Sequence, residues 1–155
     1  MTALLNADLD ILNRGGVRGI RFTLGDPSVA ATTIDMIEPL SKRVNAFGWH
    51  VQINMKADQI VAAKDLFNRL PSPVVFDSMG NLPPAMGVTH PTFTVIRKLI
   101  DKGRTWVKLT FVATLTKDGP PAYAEVTKVA QALPSLAKPR RTERGHEIRV
   151  RNFWK

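Results

Sequence analysis

Arg21, Gln52, Asn54, Asp77 and Ser78 are the side chains whose types and places in this sequence could hold a small molecule. Arg21 and Thr23 close an apolar stretch that begins near Val17. A guanidinium at such a strand end grips a carboxylate with two parallel hydrogen bonds, or it pairs with a neighbouring acid such as Asp77. His50, Gln52 and Asn54 alternate with Trp49, Val51, Ile53 and Met55, so a strand puts the polar three on one face. A buried parallel strand is normally apolar on both faces. The polar row therefore reads either as a barrel interior beside a substrate or as a hydrogen-bonded layer with no ligand. His50, at the amino end of its strand, reads as structural. So do Arg18, lower on the Arg21 strand, and Lys108, in the middle of another, where it can pair inward with an acid. Asp77 and Ser78 end Val74-Val75-Phe76, and Lys108 and Thr110 are the polar residues of the stretch after Trp106.

Several chemistries lack their residues. The three histidines, His50, His90 and His146, are forty or more positions apart, with no His-X-His and no acidic cluster. A hydrolytic metal site needs about three protein ligands, and Asp77 with His90 beyond it is too few. Ser78-Met79-Gly80 lacks the leading glycine of a nucleophile elbow. Gly15-Gly16-Val17-Arg18-Gly19 precedes a strand, whereas a phosphate loop follows one. With no cysteine, thiolate and disulfide chemistry are excluded. No residue is assigned as catalytic, and no metal or cofactor is assigned to this chain.

The elements that position these groups alternate. Ala3 to Asn13 has helical spacing and ends at Gly15-Gly16. Val17 to Leu24 reads as a strand. Asp26-Pro27-Ser28 makes a turn and helix start, and that helix runs past Ile34, Ile37 and Val44 to Gly48. Trp49 to Met55 is a strand. Asp58 caps a helix running to Leu70, which Pro71-Ser72-Pro73 breaks. Val74 to Asp77 is a short buried strand, and a Gly/Pro-rich loop from Gly80 to Pro91 follows. Thr92 to Lys102 is amphipathic, Trp106 to Phe111 is a fourth strand, and Pro121 to Leu133 is a last helix. Four strand–helix alternations predict an α/β fold on a parallel sheet. Doubly wound and barrel folds are both built this way. A complete (β/α)8 barrel takes about 250 residues. In the barrel case the 155 residues present would make a partial TIM barrel of four βα units, over residues 1–137.

Residues 138–155 form a basic tail without periodicity, carrying five of the chain's nine net positive charges. Such a tail can hold phosphates, with Phe153 and Trp154 as stacking rings, but basic ends are more often solvated. No apolar run is long enough to cross a bilayer, and the first residues lack a signal peptide's basic flank. The expectation is a cytoplasmic protein with no membrane partner.

Four segments in order carry a family resemblance: Gly16-Val17-Arg18-Gly19-Ile20-Arg21-Phe22, Gly48-Trp49-His50-Val51-Gln52, Val74-Val75-Phe76-Asp77-Ser78-Met79-Gly80, and Gly103-Arg104-Thr105-Trp106-Val107-Lys108-Leu109. From residue 8 to about 133 the chain resembles the amidohydrolase-related family, in the branch of 2-pyrone-4,6-dicarboxylate lactonases. The resemblance implies a (β/α)8 barrel in which activated water hydrolyses a lactone or amide of a small carboxylated molecule. A His-X-His pair, a middle-strand histidine and a last-strand aspartate surround that water, with a divalent metal in some members. By the same resemblance Arg21 binds a substrate carboxylate. Gln52, Asn54, Asp77 and Ser78 then line the pocket. Ser78 departs from the family, which usually has histidine in an Asp-His-Met-Gly sequence. A hydroxyl has no basicity near neutral pH, so it cannot replace imidazole. The His-X-His pair would lie before Met1 and the last aspartate after Leu136. One back-translation of residues 145–152, read a nucleotide later, gives a family-like strand, which suggests a frameshifted tail. The expectation is a lactonase-like hydrolase impaired in this chain. The alternatives are a non-catalytic fragment or assembly protein, in which a second copy closes the open sheet edges, and nucleic-acid binding through the tail.

Overall fold

A computed structural model describes residues 6–26, 28, 30–110 and 123–133. The basic tail, Phe111 and the segments on either side of the last helix lie outside the described residues, as does Pro27. Four parallel strands, β1 (Gly19–Thr23), β2 (His50–Asn54), β3 (Val74–Phe76) and β4 (Thr105–Val107), form one sheet in chain order. Each connection carries helix: α2 (Ile37–Asn45) between β1 and β2, α3 (Ala57–Ala62) and α4 (Lys64–Arg69) between β2 and β3, and α5 (Pro91–Asp101) between β3 and β4. A helix α1 (Asn6–Arg14) precedes the sheet, and α6 (Ala124–Ala132) follows it. Parallel neighbours need such crossovers, because a tight turn can only reverse the chain.

The two faces of the sheet differ in chemistry. Phe22, Val51, Ile53, Val74 and Phe76 are buried, and with Ile37, Val44, Ile60, Phe67 and Ile96 of the helices they belong to one core. Phe67 meets Phe76 edge-on, with ring centres 5.2 Å apart and planes at 86°. The other face carries Arg21 opposite Gln52, Gln52 opposite Val75, and Val75 opposite Trp106. Because side chains alternate along a strand, Asn54, Asp77 and Lys108 share that second face. In a closed barrel it is the interior.

The structure moves several expected boundaries. The strands are shorter than the apolar runs that announced them, since Val17, Trp49 and Met55 fall just outside the paired registers. Asp26 does make a turn, with Oδ1 accepting from the Ser28 N–H and hydroxyl, but the helix starts only at a 3₁₀ turn from Ile34 to Met36. Asp58 is not the cap of its helix. The cap is Lys56, whose N–H donates to Gln59 Oε1 at 2.8 Å, while Asp58 lies in the first turn and faces His90 Nε2 at 3.3 Å. The expected single helix to Leu70 bends into two at Ala63, where φ −93 and ψ 10 leave helical values. The Phe67 N–H still reaches the Ala63 carbonyl, so the hydrogen-bond run survives the bend. Neither glycine nor proline marks the place. Gly48 and Gly103 do end their helices at positive φ, as expected. Arg18 is structural: it donates to the carbonyls of Asn13 and Val17.

Candidate functional site

One polar cluster draws on all four strands. Arg21, expected at a strand end, is instead the middle residue of β1 and Gln52 the middle residue of β2, while Asp77 and Lys108 lie one residue past β3 and β4. Arg21 Nε donates to Asp77 Oδ2 at 2.9 Å. Gln52 Nε2 donates to both Asp77 oxygens, at 2.7 and 2.8 Å. Lys108 Nζ donates to Gln52 Oε1 at 2.7 Å and stands 3.7 Å from Asp77 Oδ1. The expected ion pair between Arg21 and Asp77 is therefore present. Lys108 points inward as expected, though its shortest contact is an amide rather than an acid, and it lies one residue past the end of β4. The Asp77 side chain is 6% exposed against 50% for Arg21. Asp77 is thus the buried anchor, and Arg21 reaches from it into the open. The guanidinium meets Asp77 through Nε.

Asn54 belongs to a different arrangement. Asn81 Nδ2 donates to Asn54 Oδ1 at 3.0 Å and to the Met55 carbonyl at 2.7 Å. This holds an unusual turn, because Ser78, Met79, Gly80 and Asn81 all have positive φ, between 49 and 70°. Left-handed backbone costs a non-glycine residue about 1–2 kcal/mol, and stored strain of this kind concentrates at functional sites. The Met79 N–H donates to the Lys108 carbonyl at 2.9 Å, tying the turn to β4. Ser78 is buried within it. Sequence alone could not locate Asn81, because nothing in Met79-Gly80-Asn81 announces four left-handed residues in a row. The sequence signal for Lys108 was present, a lone cation between Val107 and Leu109, and it understated that residue.

His50 lies at the base of the same face, over Gly19. A Cβ on Gly19 would come within 2.5 Å of the imidazole ring, so glycine there makes the space the ring occupies. Burial, aided by the Lys108 charge, lowers the His50 pKa below its ordinary value, against smaller raising effects from a backbone hydrogen bond to Arg18 and the Asp77 charge. A histidine whose folded pKa is depressed binds its proton more readily when unfolded. It therefore supports folding above the unfolded pKa near 6.5 and loses that support as pH falls through the folded value. Thermal melting temperature should drop between pH 7 and pH 5, and His50→Gln should flatten that dependence. An unchanged slope in the variant would remove His50 as its source.

Residues 4–137 match the model of the family described as Amidohydrolase. A 2-pyrone-4,6-dicarboxylate hydrolase of Comamonas testosteroni is 31% identical over 121 residues, 77% of this chain and 40% of that protein. A 4-sulfomuconolactone hydrolase of Rhizobium radiobacter is 27% identical over 135 residues, 86% of this chain and 44% of its own length. This chain thus spans less than half the length of the curated relatives it matches. A Pseudomonas putida protein, described as a 2-pyrone-4,6-dicarboxylic acid hydrolase, is 26% identical with TM-score 0.70, over 86% of this chain and 49% of its own. A related Acinetobacter baumannii structure, with citric acid bound, superposes with TM-score 0.65 at 18% identity, over 85% and 49% of the two chains. A zinc-bound amidohydrolase from Burkholderia multivorans gives 0.55 at 17%, over 85% and 50%.

That last likeness raises the question of a metal, and the residues at this mouth do not fit one. Among the described residues no three His, Cys, Asp or Glu side chains cluster as a metal site would require. The carboxylate of the cluster, Asp77, already faces Arg21 and Lys108, and a dication there would meet two fixed positive charges. Among the described residues no helix is long and apolar enough to cross a membrane. The four parallel βα units form a partial TIM barrel, and the chain belongs to the amidohydrolase family.

Proposed function

We propose that this chain forms the carboxylate-holding side of a lactone- or amide-hydrolysing site for a small molecule bearing more than one carboxylate. The observation that carries this is the four-strand cluster. Two cations, Arg21 and Lys108, converge on one buried carboxylate, so the mouth holds a net positive charge with one guanidinium half in solvent. Arg21 would take a substrate carboxylate through its terminal nitrogens, and Lys108 would add charge nearby. Gln52, Asn54, Asp77 and Ser78 would line the pocket around them. The relatives named for a pyrone dicarboxylate and a sulfonated lactone support an anionic lactone as the ligand class.

Attack of water on a lactone carbonyl needs a group that accepts its proton. Asp77 is already engaged, since Arg21 Nε and Gln52 Nε2 donate to its oxygens and Lys108 stands nearby. The Ser78 hydroxyl is no base near neutral pH. The cluster is suited to binding and orienting. The expected result is therefore binding without turnover: calorimetric titration of the whole chain with citrate or 2-pyrone-4,6-dicarboxylate should give heat that weakens as salt rises, while the pyrone absorbance stays constant. Rapid loss of that absorbance, in the presence of chelator, would show that water is activated here after all. No binding at millimolar ligand would end the carboxylate assignment.

A second reading rests on β1 and β4, which stand at the edges of the four-stranded sheet. Strand edges offer unpaired N–H and C=O groups, and a second copy of the chain could satisfy them. Sedimentation over a range of concentrations decides this, since a monomer at every concentration rules out self-assembly.

A further inference from the structure

Gln52 sits between a cation and an anion that would otherwise meet. Its Oε1 accepts from Lys108 Nζ at 2.7 Å and its Nε2 donates to both Asp77 oxygens, at 2.7 and 2.8 Å. Lys108 Nζ is held 3.7 Å from Asp77 Oδ1, inside ion-pair range but beyond a hydrogen bond. The orientation of the amide follows from charge alone: the NH2 group must face the carboxylate and the oxygen must face the ammonium. Gln52 pairs across the sheet with Arg21 on one side and Val75 on the other, so the backbone fixes it in the middle of the cluster. We propose that Gln52 is a positioning residue, a neutral spacer that stops Lys108 from closing onto Asp77 and so keeps two cations displayed around one carboxylate.

The consequence follows from what a closed pair would do. A lysine directly hydrogen-bonded to Asp77 shares its charge with that carboxylate and competes with Arg21 for the same oxygens. An incoming anion would then meet a nearly neutral ion pair and a loosened guanidinium. With the amide in place, Asp77 accepts from Arg21 at 2.9 Å, and the lysine stays in ion-pair range without a hydrogen bond to the carboxylate. Glutamine does this where glutamate cannot, because a second carboxylate would neutralise Lys108 itself. An apolar side chain would leave the gap unbridged.

The proposal rests on the carboxylate-holding role above, and one arm of its test needs no ligand. Crystal structures of Gln52→Met and Gln52→Leu, two apolar variants of similar size, should show Lys108 Nζ within about 3.2 Å of an Asp77 oxygen. Either variant suffices if the other fails to fold. A lysine that keeps its wild-type distance in the folded variant overturns the spacer role, whatever the ligand does. The second arm uses citrate. Gln52→Met, Gln52→Glu and Lys108→Met should each weaken citrate binding about tenfold, and Gln52→Met with Lys108→Met should be no weaker than Lys108→Met alone. Losses that multiply in the double variant would mean Gln52 acts independently of the lysine, and the proposal fails. If the wild-type chain binds no citrate while the variant crystals show the closed pair, the carboxylate role falls and the spacer stands.

Discussion

Arg21→Met should weaken citrate binding by roughly 10- to 100-fold, the largest loss of any single substitution at this mouth. Charge-assisted hydrogen bonds contribute about 1.5–3 kcal/mol each when desolvated. Arg21 is half in solvent, so the lower part of that range applies. Methionine keeps most of the stem, so packing along β1 is preserved while the charge and the fork are lost. The geometry makes the effect specific. Asp77 occupies Nε, which leaves the terminal nitrogens to meet a carboxylate. Arg21→Lys should rescue little, because an ammonium cannot donate to Asp77 and to a ligand in one plane. The check is calorimetric titration of both variants at two salt concentrations. The wild-type affinity should fall steeply with salt, and the Arg21→Met affinity less so, since one of two cations has gone. Equal affinity in Arg21→Met and wild type would place the ligand elsewhere.

How far these residues can be read in advance depends on the distance over which their causes act. The βα alternation was legible because it is local: Ile34, Ile37 and Val44 repeat at helical intervals, and His50, Gln52 and Asn54 alternate with apolar neighbours. Burial then confirms which face is which, with Val51 and Ile53 in the core and the polar three only partly exposed. The sharing of Asp77 was only half legible. The sequence pattern put Arg21 and Asp77 both at strand ends, so their pairing could be weighed in advance, although Arg21 lies in the middle of β1. That Gln52 would bond both oxygens and also hold Lys108 depends on the registers of three strand pairs, which span residues 19 to 107. Asn54 shows the same limit: its partner, Asn81, lies in a backbone conformation that no local pattern specifies. The bend at Ala63 and the cap at Lys56 were missed for a different reason. Packing of Phe67 and Ile60 into the core overrides a continuous helical pattern, and Gln59 performs the capping that Asp58 was expected to supply.

Gly80→Ala should cost about 2–5 kcal/mol of folding stability, from two independent causes that a second substitution can separate. The first is conformational. Gly80 has φ 70, where alanine pays about 1–2 kcal/mol that glycine does not. The second is steric. A Cβ at residue 80 would lie 2.4 Å from Ile96 Cδ1, and Ile96 is fully buried on α5, so relief requires repacking of a full core. Overpacking of this kind costs about 1–3 kcal/mol. Ile96→Val removes the atom that clashes. By itself it should destabilise by about 0.5–1.5 kcal/mol, but combined with Gly80→Ala it should recover most of the steric part, so the double variant melts above Gly80→Ala alone. Chemical denaturation of the four proteins measures the coupling directly. Additive losses would show that the turn shifts as a whole to admit the methyl group, in which case Ser78 and Asn81 move with it. The Asn81 contact with Asn54 would then be broken, and citrate affinity should fall with stability. A turn that stays in place predicts the opposite, a less stable protein whose mouth still binds.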